Sequence, residues 1–554
     1  MRRWLSVLAP FMAPIATAVA QAHPFTHADT LRGSNTSQRA WWDVSFYDLH
    51  VGVDPQDSTI RGWNGITYRV VQPSQLMQVD LQQPLVVDSI VQEGRRLAVR
   101  RDGEAFFVTL VARQRAGDRN TVTVYYHGKP VVAKRPPWDG GLIWSTDSTG
   151  FRWVATANEG TGASIWWPNK DYLADEPDSQ RIAITTPDSL FDVSNGRLRG
   201  VTPHADGTTT YEWFTTGPIN NYDVAISAGR YAHFSMIYDG EAGPLTLDFW
   251  PLAFHLDVAR REFLQVPSML KCFESWFGPY PWYEDGYKLV ESPHLGMEHQ
   301  TAVAYGNHYQ NGYLGRDLSH TGLGLLWDFI IVHESAHEWF GNNISMQDQA
   351  DMWVHESFAN YAENLYTECL AGKEAGAQYV IGTRRNIRND RPIVGQYGVN
   401  DEGSGDMYYK GGNMLHTIRQ VVGDDAKWRE ILRGLNHTFW HQTVTGQQVQ
   451  DYISHAAGIG LGKIFQEYLT TTDVPVFEYT LADSTLAYRW TKVVAGFDMP
   501  LKVTLSDSGF SVIRPTDAWQ RATVQLKDLA TFRVDSNYFV VTQHDLAAPK
   551  QARQ

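Results

Sequence analysis

Cysteine is nearly absent from this chain. Only Cys272 and Cys369 occur among 554 residues, too few for a disulfide framework or a thiolate zinc site. Both read as buried free thiols, because an isolated Cys behaves as a small hydrophobe. Positive charge is also short. Lys and Arg number 47 against 61 Asp and Glu, leaving a net charge of −14, which repels a phosphate backbone and argues against nucleic-acid binding. Charged residues make up only 19%, while 43% of the chain is apolar, enough core material to exclude disorder as the main state. No stretch beyond the N-terminus is long and apolar enough to span a bilayer, so no stable membrane insertion is expected.

The N-terminus has its own pattern. Arg2 and Arg3 precede a short apolar stretch from Trp4 to Ala16 that is interrupted by Pro10 and Pro14. Ala18-Val19-Ala20 and Ala20-Gln21-Ala22 follow, both small-x-small cleavage patterns. Residues 1–22 are therefore expected to be a secretory signal, and the protein to be exported, periplasmic or secreted.

The remaining length suits about three domains. From Trp41 to Phe234 the pattern is of strands, with Tyr47, Leu49, Val51 and Val53 alternating with polar or small residues. Thr121 to Tyr126 is another such run, and Asn195-Gly196 is a hairpin-turn signal. After Leu252 helical spacing takes over. Ala259 to Phe277 reads as a helix that Pro267 can split. Leu323 to Phe340, Met352 to Leu370 and Met414 to Val422 read likewise, and Gln447 to Ala456 follows a Thr445-x-x-Gln448 capping box. Alternation returns from Phe477 to Val541. The expected fold is multidomain α+β: an N-terminal β-sandwich or saddle domain (41–240), a mainly helical domain (241–475) and a small C-terminal β domain (476–546).

One string carries chemistry. In His333-Glu334-Ser335-Ala336-His337 the two histidines stand four apart, so on a helix both imidazoles share one face and can reach one ion. Glu334 stands beside them, able to act on a water in an open coordination position. Nineteen positions later comes Glu356, amid Trp353, Phe358 and Tyr361. Two histidines and a buried carboxylate make the three-ligand open set of hydrolytic zinc.

The string His333 to Asn342 closely resembles the signature of the zinc aminopeptidases that include aminopeptidase N and leukotriene A hydrolase, the gluzincin metallopeptidases. Four further stretches resemble that family in order: Phe277 to Pro281, Gly296-Met297-Glu298, Asp351 to Glu356, and Tyr408-Tyr409-Lys410-Gly411. The resemblance implies a thermolysin-like catalytic domain and one zinc ion per chain held by His333, His337 and Glu356. It implies hydrolysis of the N-terminal bond of peptides with a free N-terminus. Glu334 would be general base and then acid, and Tyr408 the oxyanion donor. Glu298 would anchor the substrate ammonium beside Gly296 and Met297, with Glu159 a second amine-binding carboxylate.

Departures from the family pattern bear on substrate preference. Leu295 and His299 stand where the family's exopeptidase motif has Gly and Asn, Glu338 stands where it has Gln, and His355-Glu356-Ser357 replaces Asn-Glu-Gly. His299 and His355 read as ordinary polar or supporting residues and not as extra ligands. The residues after 475 read as strands where many relatives carry a long helical domain. A more open cleft, or one covered by a partner chain, is expected. An endopeptidase, an epoxide hydrolase and a catalytically silent peptide-binding scaffold stay open as alternatives. Oligomeric state and preferred N-terminal residue are not readable.

Overall fold

The computed structural model describes residues 25–545; the expected signal at 1–22 lies outside them. Three layers of structure follow one another along the chain. The N-terminal part is built on an eight-stranded sheet whose central strand, Trp42–Asp54, pairs antiparallel with Thr59–Val70 and parallel with Ser179–Pro187. Tyr47, Leu49, Val51 and Val53 all face its core. A second, four-stranded sheet contains Arg152–Ala157, and the turn leaving that strand delivers Glu159 to the cleft.

Asn195-Gly196 is not a hairpin turn. Phe191–Val193 pairs in the four-stranded sheet and Arg197–Pro203 in the eight-stranded one, so the turn carries the chain between sheets. Gly196 takes the positive φ of +72°. Asn195 is fully buried and ties the crossing down: its amide donates to Asp223 O and Gln300 O, and its carbonyl accepts from Ala225 N.

The middle part packs helices on a five-stranded mixed sheet. Its hairpin Phe234–Gly240 and Gly243–Trp250 straddles the expected boundary at 240/241 and pairs on toward Tyr287–Glu291. The expected helix over 259–277 divides into Leu256–Glu262 and Gln265–Phe277, with Pro267 in the first turn of the second, where a missing N–H costs nothing. The expected helix over 323–340 is shorter. Leu323–Leu325 is a single 3-10 turn, and the α-helix runs Phe329–Ala336. Asp328 starts it by accepting from Ile330 N and Ile331 N. Tight turns, with Trp339 N and Phe340 N both donating to Ala336 O, carry the chain on to Phe340. Trp353–Ala371, Tyr409–Val422 and Gly446–Ala457 complete the set, the last with its capping box formed.

The C-terminal strands Val476–Ala482, Thr485–Thr491, Gln520–Thr523 and Val541–His544 form one sheet, and Leu501–Ser506 pairs with Gly509–Ile513. Phe477, Trp490 and Leu501 share one apolar cluster with the helices. No helix among the described residues is long and apolar enough to cross a membrane.

The cysteines correct the free-thiol expectation. Cys272 and Cys369 are disulfide-bonded across 97 positions. Their helices, Gln265–Phe277 and Trp353–Ala371, lie side by side, a juxtaposition that no spacing rule reveals. The bridge ties down the far end of the helix that carries Glu356. Closing so long a loop restricts the unfolded chain. The Cys272→Ala/Cys369→Ala chain is expected to lose about 2–5 kcal/mol of stability, read as a lower urea midpoint. An unchanged midpoint under oxidising conditions would count against the bridge.

Candidate metal centre

His333 lies in the last turn of Phe329–Ala336, and His337 caps that helix with φ −63° and ψ −20°. The helical phase therefore persists just long enough to keep both imidazoles on one face. Glu356 lies in the first turn of Trp353–Ala371. The three side chains converge: His333 Nε2 is 3.4 Å from His337 Nε2 and 3.3 Å from Glu356 Oε2, and His337 Nε2 is 3.5 Å from that oxygen. A tetrahedral ion with bonds of about 2.0–2.2 Å has ligand–ligand edges of about 3.3–3.5 Å. All three residues are buried, and Glu356 Oε2 has no hydrogen-bond partner.

The outer ring nitrogens settle the tautomers. His333 Nδ1 meets Glu363 Oε1 at 2.9 Å, and His337 Nδ1 meets the main-chain oxygen of Phe340 at 2.9 Å. Both oxygens accept, so each Nδ1 carries a proton, and each Nε2 would offer its lone pair inward to a bound ion. Nitrogen and carboxylate donors in this tetrahedral arrangement suit zinc. Glu363 was missed in the sequence, although it stands seven residues after Glu356 on the same helix face. It also accepts from Asn360 Nδ2 and Tyr379 OH.

Glu334 is 8% exposed, and burial pushes its carboxyl up to about 7, against the pull of His333 and His337. Gly296 gives it room, since a Cβ there would lie 2.6 Å from Glu334 Oε1. Gly296 and Met297 form the edge strand of the five-stranded sheet. Burial disfavours the charged form of Glu356, but His337 and His333 overcome it and hold the carboxyl well below its ordinary range. Tyr408 caps the helix Tyr409–Val422 and donates to Glu356 Oε1 at 2.7 Å. Burial and Glu356 push its hydroxyl well up, so it stays a donor. Tyr409 lines the cleft wall.

Two further carboxylates stand across the triad. Glu298 is 3% exposed and accepts from Tyr222 OH at 3.1 Å, while its main-chain oxygen accepts from Asn342 Nδ2. Glu159 reaches in from the N-terminal part, its pKa raised well above the usual range by burial and then by Glu298 and Glu356. His299 is buried apart from the triad, and burial lowers its pKa to about 3. The cleft that holds the triad has a volume of about 610 Å³.

Residues 265–468 match the family profile described as the Peptidase family M1 domain. Aminopeptidase N of Lactobacillus helveticus is 25% identical over 484 residues, covering 79% of this chain and 52% of that protein. Human aminopeptidase B is 25% identical over 252 residues, covering 42% of this chain and 36% of that protein. The chain thus spans about half the length or less of these relatives. An M1 zinc metallopeptidase from Deinococcus radiodurans shares the fold, with a TM-score of 0.66 at 20% identity over 79% of this chain and 96% of that one. The same enzyme has been solved bound to a Tyr-Ser-Ala substrate (TM-score 0.65, 21% identity, 79% and 96% covered).

Glu363 is expected to orient His333. The Glu363→Ala chain should bind its metal about 10- to 100-fold more weakly, measured by competition with a chromogenic chelator. Unchanged affinity would show that Glu363 serves packing alone.

Proposed function

We propose that this chain, which belongs to peptidase family M1 through its domain at 265–468, is a zinc-dependent aminopeptidase acting on peptides with a free N-terminus. The observation that carries this reading is the placement of Glu298 and Glu159 across the triad from nothing but a cleft. Two carboxylates with no Lys or Arg paired to them among the described residues suit a substrate ammonium; they would repel an acidic end and give a blocked one no charge to bind.

His333, His337 and Glu356 would hold a zinc ion, which would supply Lewis acidity to a peptide carbonyl and to a water. The side chains do the rest. Glu334 takes a proton from the attacking water and delivers it to the departing amine. Tyr408 releases Glu356 and donates to the carbonyl oxygen as that oxygen gains charge. Glu298 and Glu159 hold the ammonium and thereby place the first peptide bond at the metal. Gly296 and Met297 present an edge strand along which the substrate backbone lies.

Export is part of the same proposal. The small-x-small pattern near residue 22 and a disulfide in the helical core both suit an oxidising compartment. Recovery of the full-length chain in the cytoplasm with both thiols reduced would overturn it.

The decisive assay pairs aminoacyl amides with their N-acetylated counterparts, before and after chelation and zinc add-back. Hydrolysis confined to the free-amine set, lost on chelation and restored by zinc, is expected; hydrolysis of both sets would make the enzyme an endopeptidase. The Glu334→Ala chain should keep its zinc and lose about 10²- to 10⁴-fold in kcat. Metal loss with turnover intact would remove Glu334 from the proton path. The Glu298→Ala chain should lose kcat/KM on free-amine substrates, and an equal loss on blocked ones would place Glu298 elsewhere.

A further inference from the structure

The reaction just described makes no use of His355, a fully buried residue next to Glu356 at the start of the long helix. Its Nε2 accepts a hydrogen bond from Met346 N at 2.9 Å. A neutral imidazole carries one N–H, so a ring nitrogen that accepts fixes the proton on the other. Nδ1 therefore holds the proton, and it faces Glu159 Oε1 across 3.8 Å. Neither atom has another hydrogen-bond partner, although both are shielded from water. The gap exceeds a hydrogen bond by well under an ångström.

By residue type, Glu159, Glu298 and His355 would pass for a second metal site, since their donor atoms lie within 4.8 Å of one another. The Met346 contact opposes that reading. For Nδ1 to ligate a metal, the ring proton must move to Nε2, where the Met346 N–H already points. Two donors would then face each other in a buried site, which is costly.

We infer that His355 is a positioning residue for the amine anchor. Its Nδ1–H closes onto Glu159 Oε1 when a substrate ammonium enters, and turns the other carboxylate oxygen toward that ammonium. A neutral donor suits this place, because an imidazolium would repel the incoming cation. The contact also joins the two parts of the molecule that build the cleft. Glu159 comes from the turn after Arg152–Ala157, whereas His355 shares a helical turn with Glu356. On the other side of that turn Arg32 Nη2 donates to Gly160 O at 3.0 Å, so Glu159 is steadied from both flanks.

This inference rests on the aminopeptidase reading, and the test separates the two. The zinc-loaded full chain is assayed on aminoacyl amides, with metal content measured alongside. His355→Leu removes both hydrogen bonds and should raise KM about 10- to 100-fold, the worth of a hydrogen bond to a charged group, while kcat stays within about threefold. Each chain should still hold one zinc. His355→Gln, which keeps a donor and an acceptor, should recover most of the KM loss. In a Glu159→Ala background the His355→Leu effect should vanish.

An unchanged KM in His355→Leu, or loss of zinc and kcat together at constant KM, would overturn the inference in favour of a packing role. So would a second zinc equivalent in the wild type that His355→Leu abolishes. Should His355→Leu not fold, nitrogen NMR of labelled histidine in the wild type decides, with the His355→Gln chain giving the assignment. A proton on Nδ1 is expected, and a proton on Nε2 or a metal at Nδ1 overturns the proposal. A wild type that leaves all free-amine substrates intact defeats the underlying reading, whereas one that cleaves them with a KM indifferent to His355 defeats this inference alone.

Discussion

A carboxylate removed from water is costly unless something compensates its charge, and Glu356 is 3% exposed. Its compensation comes from two imidazoles and the ion they share, which requires two helices to cross at one point. The crossing dictates the neighbourhood. Glu363 and the Phe340 carbonyl must stand behind the imidazoles to fix their tautomers. Helix Tyr409–Val422 must come close enough to bring Tyr408 to Glu356. Gly411 and Gly412 permit that approach, because a Cβ at either would overlap Ser357 Oγ or Asn360 Oδ1. Ser357 then donates to Met407 O at 2.7 Å and locks the two segments together. The Tyr-Tyr-Lys-Gly-Gly string is thus a packing device as much as a source of the hydroxyl.

The electrostatics of the cleft follow from the same crowding. Glu159, Glu298, Glu334 and Glu356 gather around a small volume, and like charges in a dry site raise one another's pKa values. Glu159 and Glu334 are pushed upward, while Glu356 is held down by its imidazoles. The result is an ordering of roles by environment: one carboxylate locked in its charged form, one poised near neutrality, and an acidic pair lacking a cation. On the proposed reading, an entering ammonium would relieve that repulsion.

How much of this could be read in the sequence depended on sequence distance. His333, Glu334 and His337 were legible because one helical turn sets their spacing, and Glu356 because its neighbours are apolar. The alternation of Tyr47 to Val53 and the capping box at Thr445 were equally local. Pairings set by folding alone were not legible. Nothing between Cys272 and Cys369 announces that their helices lie side by side. Asn195-Gly196 has the chemistry of a hairpin turn, yet which sheet each flanking strand joins is decided by the distant strands Ser227–Gly229 and Thr208–Thr215. The Leu323–Phe340 helix was overread because apolar spacing continues through Leu323 to Leu326, whereas Asp328, a strong capping residue, is what starts the helix.

The C-terminal strands take a different part from the one their place after the catalytic segment suggests. Every residue lining the cleft lies between Pro137 and Tyr409, so these strands form no wall of it. The turn at 536–539, which leads into Val541–His544, braces its back. Asn537 meets His416 Nε2 at 3.0 Å, Phe539 N donates to Thr417 Oγ1 at 2.9 Å, and Tyr538 OH donates to Gln420 O at 3.2 Å. All three contacts fall on the helix whose first residue follows Tyr408. Arg384 adds a further bond to Ser536 O at 2.9 Å. These contacts hold the second half of that helix, and on the proposed reading Tyr408 would then move only its hydroxyl, from Glu356 toward a substrate oxygen. The precision of that proposed donor would therefore depend on a turn that never meets the substrate.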